Sequence, residues 1–280
     1  GPTEIACGYR ILAQAGVDAA DALKVMPDVL NLATVGELSM ENATLAVVGS
    51  INAFKLKMED SVRVSDLFAK AAAVSQSSVT DLTQAMKTAS TAGTQYGQSI
   101  EDTMTALALM AKVNIVGTSA GTAYRNMLKE IYTPTKQAAA AWKELNIETT
   151  KMVNGTRQTK DFVEVMYDLK AATSKFDNPS KTKIIGYLFG ERGAKEAAEM
   201  LDITYEQWKT FQDKIVNSKG FGAKVAKELD ATAKNEWKQA LNTLEVELVN
   251  AFERMEPQFV GLAQQVKTIF ESAEFRAGVD

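Results

Sequence analysis

Residues 78–112, SVTDLTQAMKTASTAGTQYGQSIEDTMTALALMAK, carry two helix-start signals that decide the fold class. Ser78 and Ser99 each precede an acidic residue three positions later, Asp81 and Asp102. In such a capping box the serine caps the helix, and the acidic side chain reaches back to it. Apolar residues follow the second start at steps of four, three and three: Ile100, Met104, Leu107 and Met110. Two successive amphipathic helices are therefore predicted here.

Similar start signals occur along the chain. Ser39 precedes Glu41, while Thr133-Pro134 and Asn178-Pro179 place a capping side chain before a proline at the first helical position. Breaks are predicted at four glycines: Gly36, Gly93, Gly97 and Gly117. Together these signals predict a segmented array of helices near 4–15, 18–34, 39–55, 60–75, 79–94, 100–113, 119–131, 134–146, 160–175, 179–189, 191–201 and 204–217.

One short stretch between the helices favours strands. Residues 147–153, IETTKMV, precede Asn154-Gly155, and residues 156–159, TRQT, follow it. Asn-Gly between β-prone residues is a strong signal for a two-residue hairpin turn. We therefore predict one small β-hairpin at 147–159.

The last part of the chain has a heptad pattern. Apolar residues recur at steps of four and three, with two successive steps of four between Ala251 and Phe259: Trp237, Leu241, Leu244, Leu248, Ala251, Met255, Phe259, Leu262, Val266, Ile269 and Ala273. A period of 3.5 residues is typical of a coiled-coil seam. Residues 219–280 are therefore predicted to form a long helix, kinked at Pro257 because proline removes a hydrogen bond. We expect self-association through 237–273, although the pattern also fits a helix that packs on its own domain.

Charge density divides the chain near residue 146. Residues 1–145 carry 26 charged side chains, whereas residues 146–280 carry 40. Together with the heptad pattern, this difference predicts three regions: a helical core rich in small residues at 1–146, the hairpin with helices at 147–218, and the long helix at 219–280. The predicted fold class is mainly α.

Composition excludes several kinds of site. The chain has no histidine and a single cysteine, Cys7, so zinc sites, redox dithiols and histidine-based nucleophile pairs are excluded. The net charge of −4, without a basic stripe, argues against sequence-specific binding of nucleic acid. The longest uncharged stretches, 42–54 and 88–100, are shorter than the roughly 20 residues that span a membrane. No signal peptide is predicted, and Gly1-Pro2 resembles a cleavage scar, so we expect part of a longer protein.

Few patterns suggest chemistry. Residues 190–193, GERG, lack the spacing of a phosphate-binding loop, so a helix–helix turn is favoured. The carboxylate pairs Glu59-Asp60 and Glu101-Asp102 stand at helix starts, where capping is favoured over glycoside hydrolysis. We therefore predict no catalytic, cofactor-binding or metal-ligating residue, no cofactor and no enzymatic activity.

Three further features have a structural and a functional interpretation. The small-residue run at 118–123, TSAGTA, predicts either a tight helix crossing or a segment that refolds. Core filling is favoured over an adaptable binding surface for three methionines on apolar helix faces: Met104, Met110 and Met127. The tryptophans lie too far apart in sequence for a base-stacking platform: Trp142, Trp208 and Trp237.

Nearly the whole chain resembles one known family. The strongest segments are AGVDAADAL at 15–23, MPDVLNLA at 26–33, RVSDLFA at 63–69, SVTDL at 78–82, YGQSIEDT at 96–103 and GTSAGTAYRNML at 117–128. Weaker ones are TPTKQA at 133–138 with the Asn154-Gly155 turn, LFGERGA at 188–194 and EPQF at 256–259. In this order and spacing they resemble the core region of phage tail tape measure proteins.

This resemblance implies a structural role. Tape measure proteins are long helical proteins inside the tail tube; their length sets the tube length, and they leave the tube at infection. The resemblance implies the tail tube protein and tail assembly chaperones as partners. It implies three locations: the lumen of the virion tail, the host cytoplasm during assembly and the host envelope during infection. Whole tape measure proteins are much longer than this chain.

Two other functions remain open at this point. The uncharged, small-residue segments 42–54 and 113–124 suggest membrane insertion after ejection, with the host membrane as a partner. Each is too short to span alone, so insertion requires refolding or oligomerisation. The second is a carboxylate-based, wall-degrading enzyme.

Overall fold

The computed structural model describes residues 2–230. In this part of the chain, helices, a 3-10 turn and a hairpin follow one another: α1 (Pro2–Gln14), α2 (Ala19–Gly36), α3 (Met40–Ala53), the turn Met58–Asp60, α4 (Ser61–Ser75), α5 (Val79–Gln95), α6 (Ile100–Lys112), α7 (Gly117–Tyr132), α8 (Lys136–Glu144), β1 (Thr150–Val153), β2 (Thr156–Thr159), α9 (Phe162–Thr173), α10 (Asn178–Asp202), α11 (Tyr205–Val216) and α12 (Phe221–Asp230). The mainly α fold class and the hairpin are confirmed. The predicted kink at Pro257 and the seam at 237–273 lie outside the described residues.

Two predicted caps are wrong by one or two residues. Helix α8 is capped by Thr135, whose Oγ1 accepts a hydrogen bond from Ala138 N at 3.1 Å. Thr133 instead ends α7, where its hydroxyl donates to Lys129 O. Helix α10 is capped by Asp177, which accepts from Ser180 N at 2.8 Å, and Asn178 is its first residue. A charged carboxylate at this position also interacts favourably with the helix dipole.

The predicted break at Gly93 is also wrong. Gly93 lies inside α5, where a Cβ atom would be 2.8 Å from Thr103 Oγ1 and 3.6 Å from the Phe54 ring. This glycine therefore permits a close approach of α5 to its neighbours and does not end the helix. Gly97, in contrast, has a φ of 71° and lies in the turn that follows, as predicted.

The described chain forms two compact units. Of the described residues, the first unit contains 2–48, 57–65 and 220–230. Helices α1 and α12 pack against α2, whose Val25, Val29 and Leu32 are fully buried. Ser61 Oγ donates to Asp28 Oδ2 at 2.6 Å and attaches the start of α4 to α2. The division into 1–146, 147–218 and 219–280, which rests on charge density and periodicity, stays a prediction.

The second unit contains residues 49–56 and 66–219. Its centre is α6, which is buried continuously from Asp102 to Ala111 and is packed by α5, α7, α9 and α11. The hairpin is antiparallel, with Thr150 opposite Thr159 and Val153 opposite Thr156. It follows α8 and leads directly into α9, so its position depends on both helices.

Two glycines explain features of the second unit. A Cβ atom on Gly121 would lie only 2.4 Å from Ala85 O, so α7 crosses α5 at a distance that only glycine permits. The tight crossing predicted for residues 118–123 is therefore confirmed. Gly190 has a φ of 64° and interrupts α10 between two helical halves, which confirms the predicted helix–helix turn.

Candidate functional site

The most distinctive feature of the second unit is a buried polar cluster where α6, α7 and the hairpin meet the start of α9. We define this polar cluster as the side chains of Gln98, Asp102 and Tyr132, with the backbone of Lys160 and Phe162. Gln98 and Asp102 are only 4% and 6% exposed. Buried polar groups are stable only when they are hydrogen-bonded, so the partners of these side chains decide their role.

Gln98 links three parts of the unit. Its Nε2 is within hydrogen-bond distance of Tyr96 O, Tyr132 Oη and Lys160 O, at 3.1–3.2 Å. Its Oε1 accepts from Phe162 N at 2.6 Å. A single amide side chain therefore connects the α5–α6 turn, the end of α7 and the backbone entry to α9.

Two hydroxyl groups reinforce these links. Tyr132 Oη donates to Lys160 O at 2.5 Å, and Thr159 Oγ1 donates to Tyr96 O at 2.7 Å. The Tyr96 and Tyr132 rings stack with centroids 5.6 Å apart. Thr159 and Lys160, at the end of the hairpin, are thus hydrogen-bonded to the residue after α5 and to the last residue of α7. In each bond a side-chain hydroxyl donates to a backbone carbonyl.

Asp102 does not make the contact predicted for it. Its backbone N–H donates to Ser99 Oγ at 3.0 Å, so Ser99 caps α6 as predicted. Its carboxylate does not reach back to Ser99, because Oδ2 accepts from Phe162 N at 3.2 Å, across 60 residues of chain. Oδ1 is buried without a partner among the described residues. Asp60, in contrast, accepts from Lys57 N at 3.1 Å, which confirms capping for that carboxylate.

The environment of Asp102 disfavours its charged form. Burial raises the pKa of Asp102 from its ordinary value of 3.8 to about 7, and the nearby charge of Asp161 acts in the same direction. The backbone N–H groups of Phe162 and Val163, and the charge of Lys151, lower this pKa by less. Burial also raises the pKa of the Tyr124 and Tyr132 hydroxyls above their ordinary value.

Ion pairs surround the outer side of the polar cluster. Lys151 lies 2.8 Å from Glu164 and 3.6 Å from Asp161, and Lys160 lies 2.8 Å from Asp168. Hydrogen bonds to Glu164 and Asp168 raise the pKa of Lys151 and Lys160, respectively, so both stay charged near neutral pH. Solvent screening limits the stabilisation that each partly exposed pair supplies.

A cleft of about 450 Å³ lies beside the hairpin, next to α8. Ile131, Trp142 and Ile147 form part of its apolar lining, while Lys143 and Arg157 contribute exposed cations. Arg157 Nε donates to Thr150 Oγ1 across the hairpin at 2.9 Å. The cleft therefore combines a small apolar surface with exposed cations.

Most of the other residues that the sequence pointed to are buried in the core. Met104, Met110 and Met127 are fully buried, which confirms core filling. Trp142 and Trp208 are also buried and cannot form an exposed stacking platform, while Trp237 lies outside the described residues. Among the described residues, no group of three or more His, Cys, Asp or Glu side chains could hold a metal ion. The absence of catalytic, cofactor-binding and metal-ligating residues stays a prediction.

The two segments considered for membrane insertion lie on or between helices. Residues 42–54 include most of α3, and residues 113–124 include the first half of α7. Across the described part of the chain, no helix has both the length and the hydropathy needed to span a bilayer.

Sequence reasoning missed Gln98, Tyr132 and the Lys160 carbonyl. No local pattern marks them, because their partners are 28 to 64 residues away along the chain. The segment YGQSIEDT at 96–103 carried the resemblance to a family, but its two buried side chains were not distinguished from ordinary turn and capping residues. Their role depends on where the hairpin folds back.

Comparison with known proteins establishes the class of this helical chain. The family model for phage-related minor tail proteins matches residues 2–190. The chain therefore belongs to the phage-related minor tail protein family, whose members are components of phage tails. The resemblance to phage tail tape measure proteins is confirmed by two relatives of this chain.

Two curated relatives define this relationship further. The chain is 28% identical over 270 residues to a tape measure protein of Pneumococcus phage Dp-1, which covers 96% of this chain and 22% of that protein. It is 24% identical over 193 residues to a probable tape measure protein of Escherichia phage P2, which covers 68% and 23%. The chain thus spans about a fifth of the length of these relatives, neither of which is named as an enzyme or a membrane-inserting protein. No solved structure matches the chain.

Proposed function

We propose that this chain acts in phage tail assembly, in setting tail length and in genome delivery, as part of a tape measure protein. The observation that carries this proposal is the similarity to a tape measure protein over 96% of the chain. Because the match covers 96% of the chain, it includes most of the described part and most of residues 231–280.

We infer that the described part acts as a folded element and not as an extended ruler. A continuous helix of residues 2–230 would reach about 340 Å at 1.5 Å per residue. The chain instead divides into helices of 9 to 25 residues that pack into two compact units. Such an element supplies far less length per residue than a straight helix, so its contribution is to assembly or delivery.

The partners and location follow from the same proposal. We infer association with the tail tube protein and with tail assembly chaperones, self-association through 237–273, and a location in the lumen of the virion tail. During assembly the chain is in the host cytoplasm. The names of the relatives support a structural and not an enzymatic role.

Two changes in a phage that carries this sequence test the proposal. Deletion of residues 239–273, five heptads, is expected to shorten tails by about 52 Å in electron micrographs. Gly121→Ala, which disturbs the packing of the second unit, is expected to leave tail length unchanged and to reduce infectivity. Gly49→Ala is the matched control, because a Cβ atom there meets no neighbour within 4 Å. Normal tail length and normal infectivity in both altered phages would contradict the proposal.

A further inference from the structure

Helix α9 has an unusual start. Its N-cap residue, Asp161, makes no side-chain cap hydrogen bond. The N–H of Phe162, the first helical residue, is instead bound by Gln98 Oε1 at 2.6 Å and by Asp102 Oδ2 at 3.2 Å. The first N–H groups of a helix have no partner within the helix, so they must be bound from elsewhere. Here the acceptors come from α6 and the turn before it.

This arrangement attaches the hairpin as well as the helix. Lys160, between β2 and α9, is held through its carbonyl by Gln98 and Tyr132. The Phe162 ring packs edge-to-face on Tyr124 of α7, with centroids 5.1 Å apart. Segment 147–165 is therefore connected to α6 and α7 through the polar cluster and the Phe162 ring, and its Val163 and Val165 side chains are buried as well.

The charge state of Asp102 matters for this attachment. In neutral Asp102, Oδ2 accepts from Phe162 N and Oδ1 carries the proton. In ionised Asp102, Oδ1 bears part of a buried negative charge and has no partner among the described residues. The titratable groups that face the carboxyl come from α7, from β1 and from the start of α9: Tyr124, Tyr132, Lys151 and Asp161. Lys151 is already paired with Glu164 and Asp161.

We propose that protonation of Asp102 controls how firmly segment 147–165 is attached to α6. When Asp102 is neutral, the start of α9 is closed against α6. When it is ionised, opening of the segment becomes more frequent, because water can then solvate both carboxylate oxygens. The segment is thus a local unfolding unit whose stability depends on pH, and this property does not rest on the proposed tail function.

The direction of the pH dependence follows from the raised pKa. Between the ordinary value of 3.8 and about 7, the closed form binds more protons than the open form. Closure is therefore favoured at low pH and weakens as pH rises through this window. With these two values, the open population increases about tenfold between pH 6 and pH 8 and changes little above that.

Amide hydrogen exchange on the full chain tests the proposal. Exchange rates corrected for the intrinsic effect of pH are compared between peptides from 147–165 and from α5. The wild-type protein is expected to lose about tenfold protection in 147–165 between pH 6 and pH 8, with α5 unchanged. Asp102→Asn, which cannot ionise, is expected to remove this dependence. Asp81→Asn, at the equivalent position of α5, is the matched control and should retain it.

Three results would overturn the proposal. The first is equal protection of 147–165 at pH 6 and pH 8 in the wild-type protein. The second is the same loss of protection in Asp102→Asn. The third is a midpoint near pH 4 when the wild-type Asp102 carboxyl is titrated by ¹³C NMR. This titration decides the question if Asp102→Asn does not fold, and a midpoint near pH 7 supports the proposal.

Discussion

The starts of α5 and α6 have the same sequence pattern and different structures. Ser78 precedes Asp81, and Ser99 precedes Asp102, at identical spacing. At α5 both side chains stay local: Ser78 Oγ accepts from Asp81 N and donates to Asp81 Oδ2 at 2.6 Å. At α6 only the serine stays local, while the buried Asp102 carboxylate binds the first residue of α9. A local pattern thus specifies where a helix begins, whereas burial decides what its acidic residue binds.

The largest expected effect concerns the packing that holds α5 in place. Gly121→Ala places a Cβ atom 2.4 Å from Ala85 O, a backbone atom that cannot move without displacing α5. We expect a loss of about 3 kcal/mol or more in the free energy of unfolding, measured by urea denaturation. Gly49→Ala, in an open position of α3, is expected to gain roughly 0.5–1 kcal/mol from helix propensity. Similar values for both variants would show that the tight α5–α7 crossing is not real.

The next effect concerns the long-range bonds at the start of α6. Gln98→Ala removes the hydrogen bonds to Lys160 O and Phe162 N, so that Lys160 O keeps only Tyr132 Oη and Phe162 N keeps only Asp102 Oδ2. We expect a loss of about 2–3 kcal/mol in thermal or urea unfolding. Gln95→Ala, at an exposed position one turn earlier, should change stability by less than about 0.5 kcal/mol. Equal effects would argue against the polar cluster.

The smallest expected effect concerns the serine caps, which are present at both helix starts. Ser78→Ala and Ser99→Ala each remove an oxygen that accepts from the backbone N–H three residues later. Because the two serines accept this bond at 2.9 and 3.0 Å, each variant is expected to lose about 1 kcal/mol in the free energy of unfolding, with a small further loss in Ser78→Ala from its bond to Asp81 Oδ2. A difference of more than about 1 kcal/mol between the two would show that the caps are not equivalent.

Much of the fold was predictable because the signals that decide it are local. Serine caps, helical spacing of apolar residues and the Asn154-Gly155 turn each act within a few residues, and the helices and the hairpin lie near their predicted positions. Two caps were misplaced by one or two residues because neighbouring polar residues compete for the same N–H groups. Gly93 was misread because a glycine required by close packing looks the same as one that ends a helix.

The polar cluster was not predictable in the same way. The roles of Gln98 and Asp102 depend on Phe162, which is 60 or more residues away. Nothing within one helical turn distinguishes Asp102 from Asp81, and only the return of the chain through the hairpin buries one of them. The resemblance to a family identified the segment at 96–103 but gave no role to these two side chains.

Residue-level amide exchange at Phe162 and Val163 tests the central claim most directly, namely that α9 is capped by Asp102 from α6. At pH 5, Asp102→Ala and Asp81→Ala are compared with the wild-type protein. We predict that exchange at these two amides accelerates by up to about tenfold in Asp102→Ala, since a hydrogen bond worth about 1.4 kcal/mol is lost, while Gln98 Oε1 still accepts from Phe162 N. In Asp81→Ala it should not change. Unchanged exchange in Asp102→Ala, or equal acceleration in both variants, would contradict the account.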